Sequence, residues 1–94
     1  MTTVTKKLSK IPYGNAMVRL WDDGSKSLVS YSTTVAEIDK DGWLVVYGLY
    51  SATTRKHISA FMSEHTCGLH YYDAKKCYLD NYKLNIYTGE IMEL

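Results

Sequence analysis

The sequence predicts an α+β fold: an antiparallel meander sheet of five to six strands, with one amphipathic helix packed on one face. Three observations carry this. Apolar and polar residues alternate with period two from Asn15 to Trp21 and again over Tyr82–Ile86. Two Asp-Gly pairs, Asp23-Gly24 and Asp41-Gly42, stand between extended runs where tight hairpin turns need them. The period changes once to a helical one, over Ala52–His65.

Taken in order, residues 1–12 carry Lys6, Lys7 and Lys10, no acid, and end at the only proline. They read as a flexible basic arm, which leaves 13–94 as a single α+β domain. In the first strand Met17, Arg19 and Trp21 share one face, and Ala16, Val18 and Leu20 the other. After the Asp23-Gly24 turn, Leu28-Val29-Ser30-Tyr31 resumes extended chemistry, and Val35–Asp39 makes a third strand. Trp43-Leu44-Val45-Val46-Tyr47, dense in β-branched and aromatic side chains, makes a central fourth. On the helix, Thr54, Ile58, Phe61, Met62 and His65 fall on one side, with Arg55, Lys56, Ser59 and Ser63 opposite. The helix ends near Gly68. Asp73–Leu79 suits either a short helix capped by Asp73 or a strand opening at Cys77. Tyr82, Leu84 and Ile86 alternate, and Thr88-Gly89 turns the chain so that Ile91-Met92 pairs back or packs on the core. Trp43, Val45, Ile58 and Phe61 are the expected centre of that core.

A chain of 94 residues, 46% hydrophobic and 22% charged, is one globular domain and far from the composition of disordered segments. A net charge of +1 offers no global attraction to nucleic acid or to a membrane surface, so any electrostatic function is local. No run approaches the roughly 18 apolar residues of a membrane span, and the first residues lack a secretory signal pattern. The reading is a cytoplasmic protein with no cofactor, in which Cys67 and Cys77 are free thiols. Nine tyrosines and two tryptophans against one phenylalanine add chemistry common at recognition surfaces.

The run Tyr50-Ser51-Ala52-Thr53-Thr54-Arg55-Lys56-His57 concentrates polar chemistry at the helix start. Ser51 or Thr53 suits the N-cap. Arg55 and Lys56 do not suit it, because cations in a first turn oppose the helix dipole at a cost of ~0.3–1 kcal/mol each when exposed. A partner anion would offset that cost, and amide donors, hydroxyls, guanidinium, ammonium and imidazole together can receive a phosphate or a carboxylate. The plainer reading makes Arg55 and Lys56 a solvated helix face and His57 a boundary histidine bonded to a turn carbonyl or a tyrosine.

Other constellations are weaker. His65, Cys67, His70 and Cys77 could supply four zinc ligands but lack a paired C-x-x-C. Cys67 with His65 or His70 lacks the structural context of an activated nucleophile. Asp22, Asp23, Asp39 and Asp41 are explained by turns. Lys6, Lys7, Lys10 and Arg19 form a basic group without any named nucleic-acid motif.

Ser30, Tyr31, Thr33, Val35 and Ala36, followed by Tyr50, Ser51, Thr53, Thr54, His57 and Ile58, resemble the pattern S-Y-x-T-x-V-A … Y-S-x-T-T-x-x-H-I of small uncharacterised bacteriophage proteins. The resemblance implies a phage source and a shared fold nucleus, without a reaction. Residues before Pro12 and the tyrosine-rich segment after Cys67 lie outside it.

The expected function is therefore a non-enzymatic phage protein in the host cytoplasm. It would inhibit or sequester a host protein such as a CRISPR nuclease or another defence factor. The alternative is a nucleotide or nucleic-acid binding module, able to sequester a phosphate-containing signal. Candidate binding residues are Ser51, Thr53, Thr54, Arg55, Lys56, His57, Tyr31 and Tyr50. No membrane partner is expected, and the oligomeric state is open, a homodimer included.

Overall fold

A computed structural model describes residues 3–8, 15–49 and 51–94. Tyr50, Lys10 and Pro12, named above, lie outside the described residues. Seven strands form one sheet: β1 (Thr3–Lys7), β2 (Ala16–Trp21), β3 (Lys26–Ser30), β4 (Thr33–Ile38), β5 (Trp43–Val46), β6 (Tyr82–Asn85) and β7 (Ile91–Glu93). Their order in space is their order in sequence, with every neighbour antiparallel. Between β5 and β6 the chain forms α1 (Ala52–His65) and α2 (Tyr71–Leu79). The fold is α+β, and its helices pack on each other, α1 over β3 and β4 and α2 over β5 and β6.

The hairpin turns follow from their acids. In the β2–β3 turn the Asp23 carboxylate accepts from the Ser25 amide at 2.9 Å. In the β4–β5 turn Asp39 accepts from the amides of Asp41 and Trp43, both at 2.9 Å. Gly42 closes this turn at φ +93°, and a Cβ there would lie 2.5 Å from the Tyr87 ring, so both backbone and space require glycine. The β6–β7 turn is tied to the same hairpin. Asn85 donates to the Asp41 carbonyl at 3.1 Å, and its own side-chain oxygen accepts from the Tyr87 and Thr88 amides.

Four expectations are corrected. Residues 3–7 are not a loose arm: they pair with β2 from Thr3↔Trp21 to Lys7↔Met17, and Leu8 beyond them is fully buried. Residues 4–7 are exposed on both faces, so backbone pairing holds β1 without any alternation to reveal it. Among the described residues the strands accordingly number seven. There are two helices among the described residues, because Ala74 and Cys77, three residues apart, both bury while Asp73 accepts the His70 amide at 2.9 Å. On β5 the buried side chains are Leu44 and Val46, with Trp43 and Val45 only half-buried on the face without helices. There the Trp43 ring receives the Lys83 ammonium, 4.9 Å from its centroid.

The core lies between sheet and helices. Val18, Leu28 and Ala36 share one cross-strand row and meet Ile58, Phe61 and Met62 from α1. A register shift between Leu28 and Val29 lets the consecutive residues Val35 and Ala36 both bury. Burying each of the larger side chains, from Val18 to Phe61, stabilises by about 1.5–3 kcal/mol.

Candidate functional site

α1 begins where its chemistry predicts. Ser51 is the N-cap in extended conformation (φ −152°, ψ 172°), and its hydroxyl accepts the Thr54 amide at 3.2 Å. The same oxygen lies 3.2 Å from Thr54 Oγ1. No acid occupies the first turn. The amphipathic division is as the period predicts: Thr54, Ile58, Phe61 and Met62 are buried, while Arg55, Lys56, Ser59 and Ser63 face outward.

His57 belongs to the inward side. It is 4% exposed, and its Nδ1 shares a 2.8 Å hydrogen bond with Ser30 Oγ, itself buried. Burial holds its imidazole below the ordinary value near 6.5, so the neutral ring is the resident form. The serine–histidine pair is closed off from solvent and ties α1 to the end of β3. Thr54 and His57, both among the expected binding residues, are thus buried, and a buried ring satisfied by a neighbouring hydroxyl contributes to packing.

Tyr31 does reach this region. It follows β3 in the turn to β4, with its ring centroid 6.1 Å from that of His57, and is 58% exposed. Its φ is +59°, a left-handed conformation that a bulky side chain rarely adopts, and its amide donates to the Asn15 carbonyl at 2.7 Å. Of the expected site, Tyr31, Thr53, Arg55 and Lys56 remain outward and available. Ser51 is exposed but occupied by its cap.

Sequence reasoning missed where exposed apolar chemistry gathers. Tyr72, Tyr78 and Leu79 on α2, Tyr87 in the last turn, and Ile91, Met92 and Leu94 are all exposed. On α2 they stand beside the exposed Lys75 and Lys76. The clue in the sequence was the tyrosine-rich run after Cys67, which acquires an outward side only once Ala74 and Cys77 fix the inward one. Cys67 is exposed, Cys77 is buried with its thiol pushed up to about 11 by burial, and both are free. Among the described residues no group of three or more His, Cys, Asp or Glu is placed to hold a metal ion. No described helix is long and apolar enough to cross a membrane.

A family of unknown function, DUF8033, matches residues 2–83, from β1 into β6. No curated protein and no solved structure matches the chain.

Proposed function

The chain belongs to the DUF8033 family, and we propose that it acts as a non-enzymatic binding protein that inhibits or sequesters a host component. In this reading the component is a host protein of a defence system, such as a CRISPR nuclease, met in the host cytoplasm. The phage-like pattern around Ser30–Ala36 and Ser51–Ile58 supports the setting. The observation that carries the binding role is the outer side of the two helices, where Tyr72 (72% exposed) and Leu79 (60% exposed) accompany Tyr78, Lys75 and Lys76 on α2, and Arg55 and Lys56 open α1. Tyrosine supplies contact area at low entropic cost, and the cations select an anionic surface.

A second reading, a nucleotide or nucleic acid bound at the start of α1, is favoured by one observation: Thr53, Arg55 and Lys56 are exposed beside a helix N-terminus without acids. The two readings separate by variant. Affinity capture from host lysate followed by mass spectrometry of proteins and small molecules identifies the partner. A protein target loses at least tenfold in affinity with Tyr72→Ala/Leu79→Ala. A phosphate ligand is indifferent to that pair and is lost with Arg55→Glu/Lys56→Glu. Capture of no saturable partner by wild type would overturn both.

A further inference from the structure

The two edges of the sheet are built differently. β1 presents Lys6 and Lys7, and lysine on an edge strand discourages pairing with another chain. β7 carries no cation, and Ile91, Met92 and Leu94 are 62%, 50% and 66% exposed. Its hydrogen-bond phase is fixed by two bonds to the preceding strand region: the Asn85 amide donates to the Glu90 carbonyl at 2.8 Å, and the Leu94 amide to the Asn81 carbonyl at 3.1 Å. Bonded pairs alternate in an antiparallel ladder, so the next is Lys83↔Met92. The amides and carbonyls of Ile91 and Glu93 therefore point away from β6, along the open edge.

We infer that β7 is a self-complementary edge that takes the β7 of a second copy of this chain, antiparallel, joining two sheets into one. The register follows from the phase. Pairing centred on Met92 sets Ile91 opposite Glu93 of the other copy and satisfies four outward backbone groups in each chain. It brings no two acids face to face, because Glu90 then meets Leu94. Centring on Glu93 would oppose two carboxylates, and centring on Ile91 would call on the Gly89 amide, which already donates to the Asn85 carbonyl at 2.9 Å. Met92 meets its own counterpart at the close, non-bonded position of the ladder. A contact of this length is smaller than a standard stable interface, so the dimer is weak and depends on concentration. Self-association through β7 leaves the outward side of α1 free and does not depend on the proposed target.

The register gives a test that fold loss cannot imitate. Sedimentation equilibrium of wild type, up to about 1 mM, reports dimer formation in an affinity range typical of weak contacts. Glu93→Pro removes an outward amide together with the carboxylate, and compared with Glu93→Ala, which keeps the amide, it weakens the dimer at least tenfold with the melting temperature kept. In a Cys67→Ser background, Met92→Cys oxidises to a covalent dimer, since facing Cα atoms at this position lie about 4.5 Å apart. Ile91→Cys does not, because its own counterpart is displaced by two residues, about 8 Å away. Wild type that stays monomeric throughout, a Glu93→Pro variant that associates as wild type, or cross-linking at 91 equal to that at 92 would each overturn the inference.

Discussion

The inward and outward sides of α1 are interleaved in sequence and opposite in what they do. Inward, Thr54, His57, Ile58 and Phe61 are buried, with His57 bonded to Ser30. Outward, Arg55 closes the first turn, against the helix dipole, Lys56 opens the second, and no described contact holds them. One side therefore contributes stability and no accessible chemistry, and the other accessible chemistry at a small expense of stability. Substitutions should separate the two.

The largest effect belongs to the core. Phe61→Ala leaves a cavity under the helix at a site with 0% exposure and should cost ~3–5 kcal/mol in chemical denaturation. An unchanged melting temperature would remove the packing of α1 on the sheet. Next comes the buried polar pair: His57→Ala strands the Ser30 hydroxyl and should cost ~1–3 kcal/mol, and Ser30→Ala/His57→Ala should cost less than the two single changes added together.

The same pair makes stability depend on pH. His57 has a lower pKa folded than unfolded, through burial, and His65 is shifted the same way, mainly by burial and further by the Lys26 charge. Between the depressed folded values and the ordinary value near 6.5, the unfolded chain binds more protons. Their contribution is thus fully present above about pH 6.5 and is lost as pH falls through the folded values. His57→Gln should flatten melting temperature against pH between about 7.5 and 5. A curve as steep as wild type would show that His57 does not contribute.

Smaller effects lie at the boundary. Ser51→Ala removes the cap and should cost ~1 kcal/mol. Tyr31→Gly relieves the left-handed backbone, worth roughly 1 kcal/mol, and loses an exposed ring, so stability should hold or rise slightly while partner binding falls.

The legibility of this division in sequence was uneven for physical reasons. The helix from Ala52 to His65 and its Ser51 cap were readable because a 3.6-residue period and a hydroxyl before it are local signals. β1 was hidden because it exposes both its faces and is held by backbone pairing. The phase of β5 was hidden because Trp43-Leu44-Val45-Val46 is apolar throughout and only Leu44 and Val46 meet the helices. The Ser30–His57 bond spans 27 positions, and no local pattern announces it. Arg55 and Lys56 were noticed because they oppose a local rule, whereas the outward side of α2 required knowing which side Ala74 and Cys77 bury.

The most direct test of the central claim is the double change Arg55→Glu/Lys56→Glu, measured for melting temperature and for affinity to the captured partner across ionic strength. The acid at position 55, the last of the first turn, should keep or raise stability by up to ~0.3–1 kcal/mol, and the one at 56 should add little. Affinity should fall at least tenfold, and wild-type affinity should weaken as salt rises. Tight, salt-insensitive binding by the double variant would contradict the account.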